Sequence, residues 1–297
     1  MVFAQTPRDT IVAKSGDGIF SILRSAGIHP IKYYVEFLNL NEKNVRNGSD
    51  LIIGTTYILP NAPDSFRNMG TRISVDTGLE ESIFDKELSK MKIKDATLLH
   101  TVYYIMNTPE TILNSNSNDF MLGLAKELLE KGARVCLLEN ALMQPKGNSE
   151  KDIEAFKISV LGNYSGVVNR KFLVYNGNYQ RVLLIEDGID NTKNIEVTVN
   201  HYGQSKEGTR LAASLQDVFR KNAIRKSSSK EGISSFNDEA NIFLAKNVLP
   251  PITIIGLNSS NNNQAQGIQL KSARPNITKM IANGILKDYS SLNFEDN

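Results

Sequence analysis

The sequence predicts an α/β protein in two parts: a small strand–helix–helix–strand unit, then a larger α/β domain on a mostly parallel sheet flanked by helices. Three observations predict it. Residues 10–60 hold two short strand-like runs around two helical-period runs, closed by Pro60. From about residue 96, apolar strand-like runs alternate with helical-period runs, the pattern of a parallel sheet covered by helices. The apolar fraction, 40% of 297 residues, is enough for two cores.

Taken in order, "TIVAK" reads as a strand and "SGDG" as a turn. "IFSILRSAG" is a short helix with Ile19, Ile22 and Leu23 at i, i+3, i+4 and Gly27 closing it. "IKYYVEFLNLN" is a second helix with Tyr33, Phe37 and Leu38 on one face, and "NVRNGSDLIIGTTYILP" is a turn and a final strand. Residues 61–95 mix Pro, Asp, Ser, Arg and Lys and read as a connector, with a short strand at "RISV" and a helical turn in "FDKELSK".

The larger domain, 96–290, opens with the strand "LHTVYYIM" and the helix "NDFMLGLAKELLEKG", which Ser117 would cap and Gly132 would stop. "ARVCLL", "RVLLI", "IEVTVN" and "PITIIGL" read as further strands. "EKDIEAFKISVLGNY", "SKEGTRLAASLQDVFRKN" and "PNITKMIANGILKDY" read as helices, each with a single apolar face. "RKSSSKEGISSFND" is a polar, Ser-rich loop, and 291–297 form a tail.

Composition narrows the function. The 34 basic and 32 acidic residues leave a net charge of +2, which gives no long-range field for nucleic acid or an anionic membrane. Mean hydropathy is −0.27, and no run of about 18 apolar residues predicts a membrane span. The lone Cys136, inside "ARVCLL", rules out an internal disulfide framework and a thiolate zinc cluster, and reads as a small core residue. "MVFAQTP" resembles the end of a trimmed secretory leader behind an added start Met, which predicts export to the periplasm or the cell exterior.

"VAKSGDGIFSILRSAGI", "FLNLN" and "LIIGTTYILP" together resemble a LysM module, the glycan-binding repeat of cell-wall proteins. The resemblance covers residues 10–60. It implies a sugar chain lying between the loop at Gly16, Asp17, Gly18 and Ile19 and the loop at Leu40 and Asn41. Short polar turns and exposed backbone suit N-acetylated sugars, which need amide and hydroxyl partners over an apolar floor.

Further along, "VYYIMN", "LAKELLEKGARV", "YQRVLLIEDG", "VTVNHYGQSKEGTRLAASLQ", "NVLPPITIIGLNSSNNNQ" and "ANGILKDY" resemble, in order, the zinc-dependent N-acetylmuramoyl-L-alanine amidases, in their Bacteroidetes-type form. That family cuts the amide between muramic acid and the stem peptide. A His, Glu, His set holds its zinc and a second Glu is the general base, because an amide needs a Lewis acid and an activated water. Carried onto this chain, the first His position is Pro109, in "NTPE". The ligand Glu falls in "SNSND", at Ser115 or Ser117. The second His becomes Glu186, and the base becomes Gly256. All four positions have changed, and three hold no ionisable group.

Other chemistries have less support. His201 with Glu186, Asp187 and Asp190 could form a rearranged metal site if their strands are adjacent. His29 and His100 read as ordinary residues, and Glu80–Glu81 as solvated charge. No G-x-S-x-G elbow and no Gly-rich phosphate cradle is present. The resemblances therefore imply a pseudo-amidase without a cofactor. Its partners would be peptidoglycan glycan strands, and envelope proteins or an active amidase that it scaffolds or regulates. The alternative is an active amidase with non-standard zinc ligands.

Overall fold

The computed structural model describes residues 9–85, 87–113, 119–140, 145–188, 194–224, 232–259, 267–271 and 274–292. Ser115, Ser117, Asp190 and the leader-like residues 1–5 lie outside them. The chain divides into two compact units, one of residues 1–71 and 82–92, the other of 72–81 and 93–297.

The first unit follows the predicted order. Strand β1 (Thr10–Val12) leads into α1 (Ile19–Ser25) and α2 (Pro30–Leu40), then the hairpin β2 (Val45–Arg46) and β3 (Asp50–Leu51), β4 (Thr56–Ile58) and the short α3 (Phe66–Met69). β1 and β4 pair antiparallel, Thr10 opposite Ile58 and Val12 opposite Thr56. The helical periodicity becomes the core: Ile22, Leu23, Phe37 and Tyr57 are essentially fully buried. Phe37 and Tyr57 stack with centroids 5.9 Å apart. Gly27 ends the α1 turn at φ +71°, where a side chain would also press on Leu88 Cδ2.

Residues read as connector do more than connect. β5 (Gly70–Ser74) and β6 (Glu80–Ser82) join the large sheet at one edge, and a 3-10 turn forms at Leu88–Lys90. β5 and the turn correspond to the strand read at "RISV" and the helical turn read in "FDKELSK"; β6 left no signal because it is short, polar and largely exposed.

The second unit continues with β7 (Thr101–Asn107), α4 (Pro109–Leu113), α5 (Asp119–Leu129), β8 (Arg134–Glu139), α6 (Glu150–Val174), β9 (Tyr179–Gly188) and β10 (Ile195–His201). It then runs through α7 (Lys206–Lys221), β11 (Ile233–Ser235), α8 (Glu239–Asn247), β12 (Ile252–Ser259), β13 (Ile268–Leu270) and α9 (Arg274–Leu292). The sheet order is β11-β10-β12-β9-β7-β8-β5-β6, with β13 also on β10. β12, β9, β7 and β8 run parallel, whereas β10 runs against β12. The sheet is mixed, with a parallel centre.

Burial explains the strand patterns. All seven residues of β7 are buried, as expected for a parallel strand covered on both faces. β10 alternates buried and half-buried residues. On one face, α6 and α8 bring Phe156, Val160, Tyr164 and Leu244 onto Tyr104, Met106, Leu184 and Ile254. Cys136 belongs to this same buried cluster. Elsewhere in the unit α7 and α9 pack so closely at Gly284 that a Cβ there would lie 2.6 Å from Leu215 Cδ2. Asp288 of α9, 1% exposed, accepts from Arg210 Nε at 2.7 Å and from the Tyr179 hydroxyl. The stretch read as a Ser-rich loop supplies β11, paired in parallel with β10 through Val199 and Ile233.

Candidate functional site

Three positions singled out from sequence meet at one end of the large sheet. β7 ends at Asn107, opposite Ile185 of β9. The backbone N–H of Thr108 donates to Ile185 O at 2.9 Å, extending that ladder by one bond. Pro109 then starts α4, where its missing N–H and fixed φ suit the first helical position. Thr108 Oγ1 accepts from Thr111 N–H at 3.3 Å and lies 3.0 Å from Thr111 Oγ1. Glu186 sits one residue further along β9, directly opposite Gly256 of β12.

Beside them is an open cavity of about 550 Å³ at the carboxyl ends of the parallel strands, the usual place for a ligand in an open α/β sheet. Thr108, Glu186, Ile254 and Asn200 form its strand-side wall, and Glu110, Glu154, Lys157, Asp238, Glu239 and Asn241 come from α4, α6 and the start of α8. Asp238 caps α8, its Oδ1 accepting from Asn241 N–H at 2.7 Å. Lys157 Nζ pairs with Glu110 Oε1 at 2.7 Å. Burial pushes the Glu186 carboxyl above its ordinary range, and the charges of Glu110 and Asp238 push the same way.

These residues do not fit the zinc that the amidase resemblance implies. Pro109 offers no donor atom. At Gly256 a Cβ would overlap Thr198 Oγ1 from β10, so the place of a general-base side chain is filled. Among the described residues, no three of His, Cys, Asp and Glu are placed to hold a metal ion. Ser115 and Ser117 lie outside the described residues.

The rearranged His201 site fails on strand order. β12 lies between β9 and β10, so the two strands expected to be adjacent are not. His201 pairs with Thr253 and Glu186 with Gly256, three residues apart along β12. The His201 ring instead faces α7, its Nδ1 3.2 Å from Thr209 Oγ1 and 3.3 Å from Tyr202 O. His29 is structural as well: its Nδ1 accepts from Lys32 N–H and caps α2. Glu80 pairs with Lys171 at 2.7 Å.

In the first unit the expected glycan residues separate into two groups. Gly16 and Gly18 are exposed, and Asp17 and Leu40 are half-buried. Asp17 Oδ2 accepts from Lys14 N–H at 2.8 Å, which holds the turn. Asn41 is a correction. It is 3% exposed; its Nδ2 donates to Phe37 O and Ile58 O, and its Oδ1 accepts from Ile58 N–H. Two of these bonds pin the end of α2 to β4 and the third closes the last turn of the helix, so the Asn41 amide is already engaged. Ile19, 4% exposed, is core.

Sequence reasoning missed Lys157, Glu154, Asp238 and Asn241. Lys157 and Glu154 sit in a helix read for its apolar face, and Asp238 and Asn241 follow the Ser-rich stretch. Only the D-x-x-N spacing of a helix cap could have drawn attention to the latter pair.

No family model matches the chain, and no curated protein matches it. Among solved structures, the CwlD amidase from Clostridioides difficile, in complex with the GerS lipoprotein, is 14% identical. That likeness covers 65% of this chain and 98% of the other, at a TM-score of 0.39. The N-acetylmuramyl-L-alanine amidase Ami1 from Mycobacterium smegmatis is 13% identical over 65% and 99%, also at 0.39. The amidase AmiC2 of Nostoc punctiforme is 13% identical over 63% and 96%, at 0.36. Likeness of this size assigns neither a reaction nor a ligand to this chain. No helix among the described residues is long and apolar enough to cross a membrane.

Proposed function

We propose that this chain is a non-catalytic peptidoglycan-binding protein. Residues 10–60 act as a LysM-like glycan module, and the cleft beside Glu186 binds a muropeptide without cutting it. One observation carries the reading: Glu186, which stands opposite Gly256, lines an open polar cavity together with Thr108 and Glu110, the neighbours of Pro109, while Pro109 and Gly256 themselves have no side chain that could hold a metal. A collapsed pocket would have favoured a purely structural scaffold. An open one of about 550 Å³ suits a small polar ligand. On this reading the protein works in the periplasm or outside the cell, as a scaffold or regulator beside an active amidase or other envelope proteins.

The test is incubation of the purified full chain with purified sacculi. Sedimentation with the wall, no release of muropeptides, and the same result with and without a chelator support the proposal. Stoichiometric zinc together with chelator-sensitive muropeptide release would overturn it in favour of an active amidase with non-standard ligands.

A further inference from the structure

The sequence holds three Asn-Gly pairs, at 47–48, 176–177 and 283–284. A glycine after an asparagine offers the least crowded backbone nitrogen for closing a ring on the carboxamide. Whether the ring can close depends on the backbone around it, and the fold sorts the three. All three asparagines are exposed, so access to water does not separate them. Asn283 lies in the middle of α9, where Gly284 N–H belongs to the helical ladder. Gly284 also packs on Leu215, so that backbone cannot turn without parting α7 from α9. Asn176 lies in the turn between α6 and β9. There Asn178 bonds Tyr175 O twice, through its backbone N–H at 3.1 Å and its Nδ2 at 2.9 Å. Tyr179 N–H follows with a bond to His100 O at 3.0 Å, which ties the turn to the central sheet.

Asn47 is held by much less. It and Gly48 have positive φ, +48° and +80°, in a turn closed by the bond from Ser49 N–H to Arg46 O at 3.0 Å. The β2–β3 ladder beneath it has two residue pairs and joins no other described strand. A hairpin of that length is marginal by itself and opens locally at low cost. The Tyr57 hydroxyl donates to Asn44 O at 2.9 Å and accepts from Ile52 N–H at 2.7 Å, so the hairpin base stays fixed while its tip opens.

We propose that Asn47–Gly48 is a self-modification site of this protein, with water as the co-reactant. In the open tip Gly48 N bonds to Asn47 Cγ, and its proton departs with the carboxamide NH2 as ammonia. Water then opens the five-membered imide. Attack at Cγ leaves an aspartate at 47. Attack at the main-chain carbonyl leaves an isoaspartate, with the chain running through the former side chain. Either product exchanges the amide that donates to Asp50 Oδ2 at 3.0 Å for a negative charge beside that carboxylate. The isoaspartate also adds a carbon to the turn that sets the hairpin register. The modification therefore loosens the hairpin whose opening allowed it.

The experiment incubates the full chain at mildly alkaline pH, folded and in denaturant, and follows the three Asn-Gly peptides by mass spectrometry. In the folded chain the peptide carrying Asn47 is expected to convert first, roughly tenfold ahead of Asn176, as opening of a free hairpin rather than a packed turn allows. It should split into two acidic isomers, while Asn283 stays unchanged. In denaturant the three rates are expected to converge, because the dipeptide chemistry is the same. Asn47→Gln should lose the acidic species that ion exchange separates from the parent. The proposal is overturned by no conversion at Asn47 in the folded chain, or by Asn176 or Asn283 converting as fast or faster. It is equally overturned if the folded order persists in denaturant, or if the acidic species survives in Asn47→Gln. None of these results bears on what the cleft binds, so the wall-binding reading stands or falls on its own test.

Discussion

Glu186 and Gly256 stand directly opposite one another on parallel strands β9 and β12, and Thr198 of β10 completes the row. A Cβ at 256 would overlap Thr198 Oγ1 and lie 3.4 Å from Glu186 Oε2. The glycine is therefore what lets a carboxylate and a hydroxyl share one side of the sheet.

Restoring a carboxylate at this position should fail. Gly256→Glu is expected to destabilise the domain by about 1–3 kcal/mol through overpacking. Adding Thr198→Ala should recover part of that loss, because the two positions touch. Neither variant should take up zinc, since Pro109 still offers no ligand. Denaturant unfolding and metal analysis check both halves.

Glu186 makes stability depend on pH. Its folded carboxyl is raised, by burial first and then by Glu110 and Asp238, so the folded state holds a proton that the unfolded chain has already released. The sign follows: the burden is absent below the ordinary carboxyl range near 4.5 and grows as pH rises through the folded value. Glu186→Gln should therefore stabilise the protein at pH 7 and leave it nearly unchanged at pH 4. Equal effects at both pH values would contradict this.

Asn41 should matter for folding rather than for sugar. Asn41→Ala leaves Ile58 N–H and two carbonyls without their partner, an expected loss of about 1–3 kcal/mol. Glycan affinity measured on the folded fraction should stay the same. A specific drop in affinity at unchanged stability would return Asn41 to the binding groove.

Asp288 closes a buried polar group in the second unit. Asp288→Ala strands the Arg210 guanidinium and the Tyr179 hydroxyl, at an expected loss of about 3–5 kcal/mol. Arg210→Met in the same chain should cost less than the sum of the two single changes, as a double-mutant cycle would read out.

Much of the fold was legible because burial leaves a period in the sequence. β7 is buried on both faces and reads as an unbroken apolar run, and Leu211, Leu215 and Phe219 of α7 keep helical spacing. Strand order was not legible. Nothing in "IEVTVNH" says that β12, about fifty residues later, will separate it from β9, so the strand adjacency on which a His201–Glu186 site would have depended is absent. The location of the cleft could be read from Pro109 and Glu186, because Pro109 follows the end of β7 and Glu186 lies near the carboxyl end of β9, across from Gly256 in the middle of β12. Its lining could not, because Lys157 and Asp238 reach it from helices whose polar residues carry no periodic signal.

Cys136 lies at the centre of β8, fully buried in register with Tyr104 of β7. Burial, only partly offset by the charges of Lys171 and Arg134, pushes its thiol up to about 12. Without a thiolate or an open path, an alkylating reagent has nothing to attack on the folded chain. Labelling must wait until β8 comes away from its neighbours, so its rate measures how often the sheet opens. The protein thus carries its own clock for unfolding, in a single native thiol.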